Sequence, residues 1–70
     1  MEIWHAEYES RNFLFEAYGA TGQQALEKLV EGLKAHAIAY HIDDEDWYSL
    51  DEISVRRIEM GIAYRDKHPI

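Results

Sequence analysis

The sequence predicts an α+β fold of ββαβ order: a three-stranded antiparallel sheet, ordered 2-1-3, with one long helix packed on one face. Three observations predict it. Two stretches of two-residue alternation, Glu2–Glu9 and Phe13–Tyr18, are separated only by the polar Ser10-Arg11-Asn12, as in a hairpin. A helical period then runs from Thr21 to His41, where Leu26, Leu29, Val30, Leu33, Ala37 and Tyr40 fall on one face. Alternation returns between Ile53 and Tyr64, after a short acidic stretch.

In the first strand one parity carries Trp4, Ala6 and Tyr8 toward a core, and the other carries His5, Glu7 and Glu9. The second strand sets Phe13, Phe15 and Ala17 against Leu14, Glu16 and Tyr18. Gly19-Ala20 is too short a connection to do anything but turn the helix straight back across the hairpin. Thr21 with Gln24 three residues later is a capping-box pattern, which satisfies backbone N–H groups that a first turn leaves unpaired. At 1.5 Å per residue the helix is about 30 Å long, enough to cover three ordinary strands.

Ala25, Gly32 and Ala39 line one flank of that helix. A mid-helix glycine costs roughly 0.5–1 kcal/mol, which leaves two readings: a strand or loop packed tight against the flank, or a seam with the helix of a second copy. Ile38 and Ile42 project from the opposite, polar side beside Glu27, Glu31 and Lys34, and Trp47 and Tyr48 are the nearest residues able to cover them. In the third strand Ile53 and Val55 share one parity, and Ile58, Met60, Ile62 and Tyr64 the other. The change of phase at Arg56-Arg57 predicts a bulge, and Gly61 marks a bend or a close backbone approach. Pro69 argues against further pairing in the polar tail from Arg65 to Ile70. One helix covers one face only, so the last strand is expected antiparallel beside the first.

Seventy residues make one domain, 1–70, which buries only about 60% of the surface exposed when unfolded. Dense aromatic packing or homodimerisation are the means left to a chain without cysteine. Absence of cysteine also suits a reducing compartment. Fourteen acidic against seven basic residues give a formal charge of −7, which argues against direct contact with nucleic acid or a membrane surface and toward a basic protein surface as partner. No apolar run approaches a span of about 20 residues, and Met1-Glu2-Ile3-Trp4 lacks the pattern of a secretion signal, so the expected location is cytoplasmic.

Catalytic and metal-binding patterns are few. Among the four histidines, His5, His36, His41 and His68, the pair His36 and His41 has the wrong spacing for two ligands on one helical face. His36, at the edge of the core stripe, is expected to be a partly buried, hydrogen-bonded side chain. Glu7, Glu9 and Glu16 share the outer sheet face, where a chain with no second layer leaves them solvated. No nucleophile motif or glycine-rich phosphate loop occurs, so no enzyme activity, cofactor or metal is expected. The most distinctive feature is the acidic segment Asp43, Asp44, Glu45, Asp46, Asp51 and Glu52, with Trp47 and Tyr48 inside it. Carboxylates set among aromatics can stand in for phosphates and bases on a basic groove, and they can equally form a solvated loop pinned by two aromatic anchors, partly neutralised by Arg56 and Arg57.

The hairpin running into Ala17-Tyr18-Gly19-Ala20-Thr21-Gly22-Gln23-Gln24-Ala25-Leu26 resembles the strand-to-helix junction of HicB-type antitoxins, where a Thr-led helix with an Ala-Leu pair follows the sheet. In size, acidity and lack of a catalytic motif the chain is also similar to small inhibitor proteins of phages and prophages, among them anti-CRISPR proteins. These resemblances imply a non-enzymatic binding protein or inhibitor that occupies a basic, nucleic-acid-binding type of surface on a larger protein, with an antitoxin-like or structural homodimer module as the alternative.

Overall fold

Strand β1 (Glu2–Glu9) lies between β2 (Leu14–Gly19) and β3 (Ser54–Glu59), both antiparallel to it, so the sheet has the expected order β2-β1-β3. The computed structural model describes residues 2–43, 47–66 and 68–70, with Tyr64 through its backbone alone. Register sets Trp4, Ala6 and Tyr8 opposite Gly19, Ala17 and Phe15 on one side, and Ala6 opposite Val55 on the other. Helix α1 (Gly22–Ala39) covers this face, and its Ala25, Leu29 and Leu33 are buried with Ala6 and Tyr8. Trp4, Phe15, Ala17, Ile53 and Val55 pack around that centre.

Both ends of α1 follow from local chemistry. Thr21 Oγ1 accepts from the Gln24 N–H at 3.1 Å, while Gln24 Oε1 accepts from the Ala20 N–H at 2.6 Å. The reciprocal arm of the box thus reaches one residue further back than the motif requires. Gly19 makes the tight turn passable, because a Cβ there would lie 2.7 Å from the Ala25 nitrogen. At the other end Tyr40 is the C-cap and His41 takes a left-handed φ of 56°. The Ile42 N–H donates to the Ala37 carbonyl at 2.8 Å and the His41 N–H to that of Ile38 at 3.3 Å. This is a Schellman stop, with histidine where glycine is usual.

Four expectations need correction. Gly32 is exposed and a Cβ on it would meet nothing within 4 Å, so no strand or loop of the described residues packs tightly there. Ala39 is exposed as well, and Ala25 is the only buried member of that flank. No bulge occurs at Arg56-Arg57: β3 pairs without interruption from Ser54 opposite Glu7 to Glu59 opposite Glu2. The apparent change of phase arises because Val55 faces the helix while Ile58 faces outward beside Ile3. Finally, the strand ends before Gly61, whose φ of +85° turns the chain, and the tail forms a second hairpin of β4 (Tyr64–Arg65) and β5 (His68–Pro69). Pro69 is tolerated at this edge, and the Ile70 N–H donates to the Ala63 carbonyl at 3.0 Å.

Leu33 is wholly buried. Its replacement by Ala should cost about 2–5 kcal/mol in denaturant unfolding, most of what a domain of this size has. Gly32→Ala should act in the opposite sense, raising stability by roughly 0.5–1 kcal/mol, since the added methyl enters open space on a helix.

Candidate functional site

The Schellman stop sets Ile42 beside Ala37 and sends the chain off the helix with Asp43 exposed. Asp44, Glu45 and Asp46 lie outside the described residues. Trp47 is half-buried, with its ring 5.5 Å from His36, 6.0 Å from Phe15 and 6.2 Å from Tyr8, the last two approached edge-on. Such edge-to-face contacts are the favoured geometry for aromatic quadrupoles. The Tyr8 hydroxyl donates to the Trp47 carbonyl at 3.4 Å, tying the segment to the central strand. His36 is half-buried, as expected, and is held among Phe13, Phe15, Tyr40 and Trp47.

Trp47 is committed to this aromatic cluster, and it therefore closes only one side of the isoleucine pair. The result is an open hollow of about 470 Å³, walled by Ala37, Ile38 and Ile42 from the helix side and by Trp47 and Tyr48 from the other, with Lys34 and Asp43 at its edge. Ile38 remains 78% exposed, so the expected cover over it does not form. A second hollow of about 440 Å³ continues along the helix, where Leu26, Val30 and Leu50 lie among Glu27, Glu31 and Lys34. Lys34 borders both, so two apolar hollows that share this lysine at their edge form a groove along α1, with carboxylates beside it.

Leu50 opens a single 3₁₀ turn, Leu50–Glu52, and is 60% exposed. The Ser49 hydroxyl caps that turn by accepting from the Asp51 N–H at 3.3 Å. Asp51 and Glu52 are exposed on it, where negative charge suits the unpaired N–H groups, but they do not line either hollow. Asp43, Trp47 and Tyr48 are thus the described members of the acidic segment that meet at one place. Arg57 pairs with Glu2 at 3.2 Å, and Arg56 lies on the outer sheet face opposite His5.

Sequence reasoning placed Leu26 and Val30 in the core stripe and passed over Leu50. Their part in the groove was foreshadowed only by Leu50 following directly on Trp47-Tyr48-Ser49. The outer sheet face also holds more than expected. Glu9 and Glu16 are exposed, but Glu7 is half-buried and His5 is only 5% exposed. His5, Glu7 and Glu16 bring one nitrogen and two carboxylate oxygens within 4.8 Å of one another. The signal is His-x-Glu on one strand with a glutamate across the hairpin, a spacing that belongs to a strand and not to a helix.

Comparison with family models, with curated proteins and with solved structures returns no match. No helix among the described residues is long and apolar enough to cross a membrane.

Burial of Trp47 has a direct optical test. In a Trp4→Phe protein, emission from Trp47 should be blue-shifted when folded and move to the red on denaturation. Folded-state emission at the wavelength of free tryptophan would contradict the aromatic cluster.

Proposed function

We propose that this protein works by binding, without catalysis of its own, and that it occupies a basic surface of a larger protein, of the kind that itself engages nucleic acid. The observation that carries the proposal is Ile38, 78% exposed above a hollow formed with Ile42, Trp47 and Tyr48, with Asp43 at its edge. An apolar side chain of the partner fits such a hollow, while Asp43, Asp44, Glu45, Asp46, Asp51 and Glu52 supply charge complementary to a basic rim. Interfaces divide labour in this way, with a desolvated apolar centre holding the complex and surrounding charge steering the encounter. A formal charge of −7 supports basic partners and opposes nucleic acid itself.

A second reading, a homodimer module, is favoured by one observation. Gly32 weakens the helix, and nothing among the described residues fills the space above it. The helix of another copy seated there, over Gly32 and Ala39, would account for both. Light scattering on the purified protein separates the two, since the first reading expects a monomer.

For the first reading, bound proteins recovered from a lysate at low salt are compared between the parent and two variants. Replacing Asp43, Asp44 and Asp46 by Asn should slow association and flatten its salt dependence, because screening acts over about 8 Å at physiological ionic strength. Ile38→Asp should abolish capture with the melting temperature almost unchanged, as its side chain is exposed. If both variants retain the same partners with the same salt dependence, this face is a solvated surface and the proposal fails.

A further inference from the structure

The face of the sheet turned away from the helix carries a different chemistry. We propose that His5, Glu7 and Glu16 form a binding site for a divalent transition-metal ion, with Zn²⁺ the best suited. The inference stands apart from the groove, which lies along the helix on the other side of the sheet.

Geometry is the first support. Glu7 and Glu16 are register partners across β1 and β2, and His5 precedes Glu7 by two residues on the same face. His5 Nε2 lies 3.3 Å from Glu16 Oε1. Ligand bonds of about 2.0–2.1 Å in tetrahedral array separate neighbouring ligand atoms by roughly 3.3 Å, so this pair already has the edge length of a zinc site. The whole triad spans no more than 4.8 Å, which a rotation of the Glu7 or Glu16 carboxylate can close.

Burial and orientation are the second. His5 is 5% exposed although its face has no helix over it. The Tyr18 ring stands against it at 4.9 Å, and Tyr18 and Arg56 are its register partners on either side. An imidazole fixed in this way loses little freedom on binding an ion, which is the requirement for a pre-formed ligand.

Electrostatics is the third. Like charges directly opposite one another in a sheet repel, and Glu7 opposite Glu16 is such a pair, even though Glu16 also reaches His5 at 3.3 Å and Glu7 is not without a partner. A divalent ion between the two carboxylates turns that repulsion into attraction. Arg56 is the cation contributed to this face by β3, opposite His5, and an ion bound here competes with it for the carboxylates. One imidazole nitrogen with carboxylate oxygens favours Zn²⁺, Co²⁺, Ni²⁺ or Cu²⁺ over Mg²⁺ and Ca²⁺, which require oxygen donors throughout. Three protein ligands on an open face leave the fourth position to water.

The test is titration of chelator-stripped protein with ZnCl₂ by calorimetry, with MgCl₂ as control. One Zn²⁺ per chain and no heat from Mg²⁺ are expected. Glu16→Gln and Glu7→Gln should each weaken binding by about tenfold or more while keeping the far-UV spectrum of the parent, and His41→Ala and His68→Ala should leave it unchanged. Because a His5 variant can misfold, Co²⁺ added to isotope-labelled parent protein supplies a second readout: the amide signals of His5, Glu7 and Glu16 should broaden first. Absence of binding at millimolar Zn²⁺, unchanged affinity in both glutamine variants, or broadening centred on His36, His41 or His68 overturns the proposal.

Discussion

Every strand of the main sheet meets β1, yet only one of its faces has a helix over it. That one-sided cover is the constraint on which the other features depend. Among the described residues the buried apolar set is Ala6, Tyr8, Ala25, Leu29 and Leu33, and two of these are alanines that let the helix lie close to the central strand. A core this small cannot also close the sheet beyond the helix end. Trp47 does so instead, reaching Tyr8 and Phe15 from a segment that follows the helix, and the Tyr8 hydroxyl holds its backbone in place. The acidic segment is therefore structural at its aromatic end, whatever its carboxylates bind.

The helix stop decides where that segment begins. Continuation of α1 by one more turn would carry residue 42 onward along the helix and forgo the bond from the Ile42 N–H to the Ala37 carbonyl. His41 accepts the left-handed conformation that prevents this, at a cost of roughly 1–2 kcal/mol for a residue with a Cβ. Two hydrogen bonds to the last carbonyls offset part of that cost. The hollow and the core share a wall at Trp47, so the conformation of one residue in the helix cap bears on both.

Much of this architecture was legible in the sequence, and the reason is period. Trp4, Ala6 and Tyr8 alternate with charged or polar neighbours, and only one register of β1 buries them, so the hairpin, the sheet order and the covered face follow. The third strand resisted because its apolar residues answer to different neighbours. Val55 faces the helix, Ile58 faces Ile3 across the outer surface, and Met60 and Ile62 lie beyond the strand altogether. Gly32 shows the limit of such reading: a cost in helix propensity does not by itself imply a close contact, and none is made there by the described residues. For the site, the grouping of Asp43, Trp47 and Tyr48 could be read from their adjacency, whereas the openness above Ile38 could not. It depends on which way the Trp47 ring turns, and that is set by Phe15 and His36, distant in sequence.

The two surfaces left by one-sided cover differ in what they can gain from a ligand. On the sheet side the surface is charged: carboxylates brought together by strand register, next to an imidazole with its orientation fixed. On the helix side it is apolar. Burying a side chain such as isoleucine fully is worth about 1.5–3 kcal/mol, and a domain with a thin margin forgoes most of that at Ile38 and much of it at Leu50. A mutation to a polar residue at either place would cost the fold little, so stability does not require apolar side chains there. Under the proposed function the same area has a use, since the burial that folding leaves incomplete is completed on binding. The carboxylates beside it then limit which apolar surfaces are accepted, because a neutral or acidic partner would bury the hollow only by leaving charge unpaired or opposed.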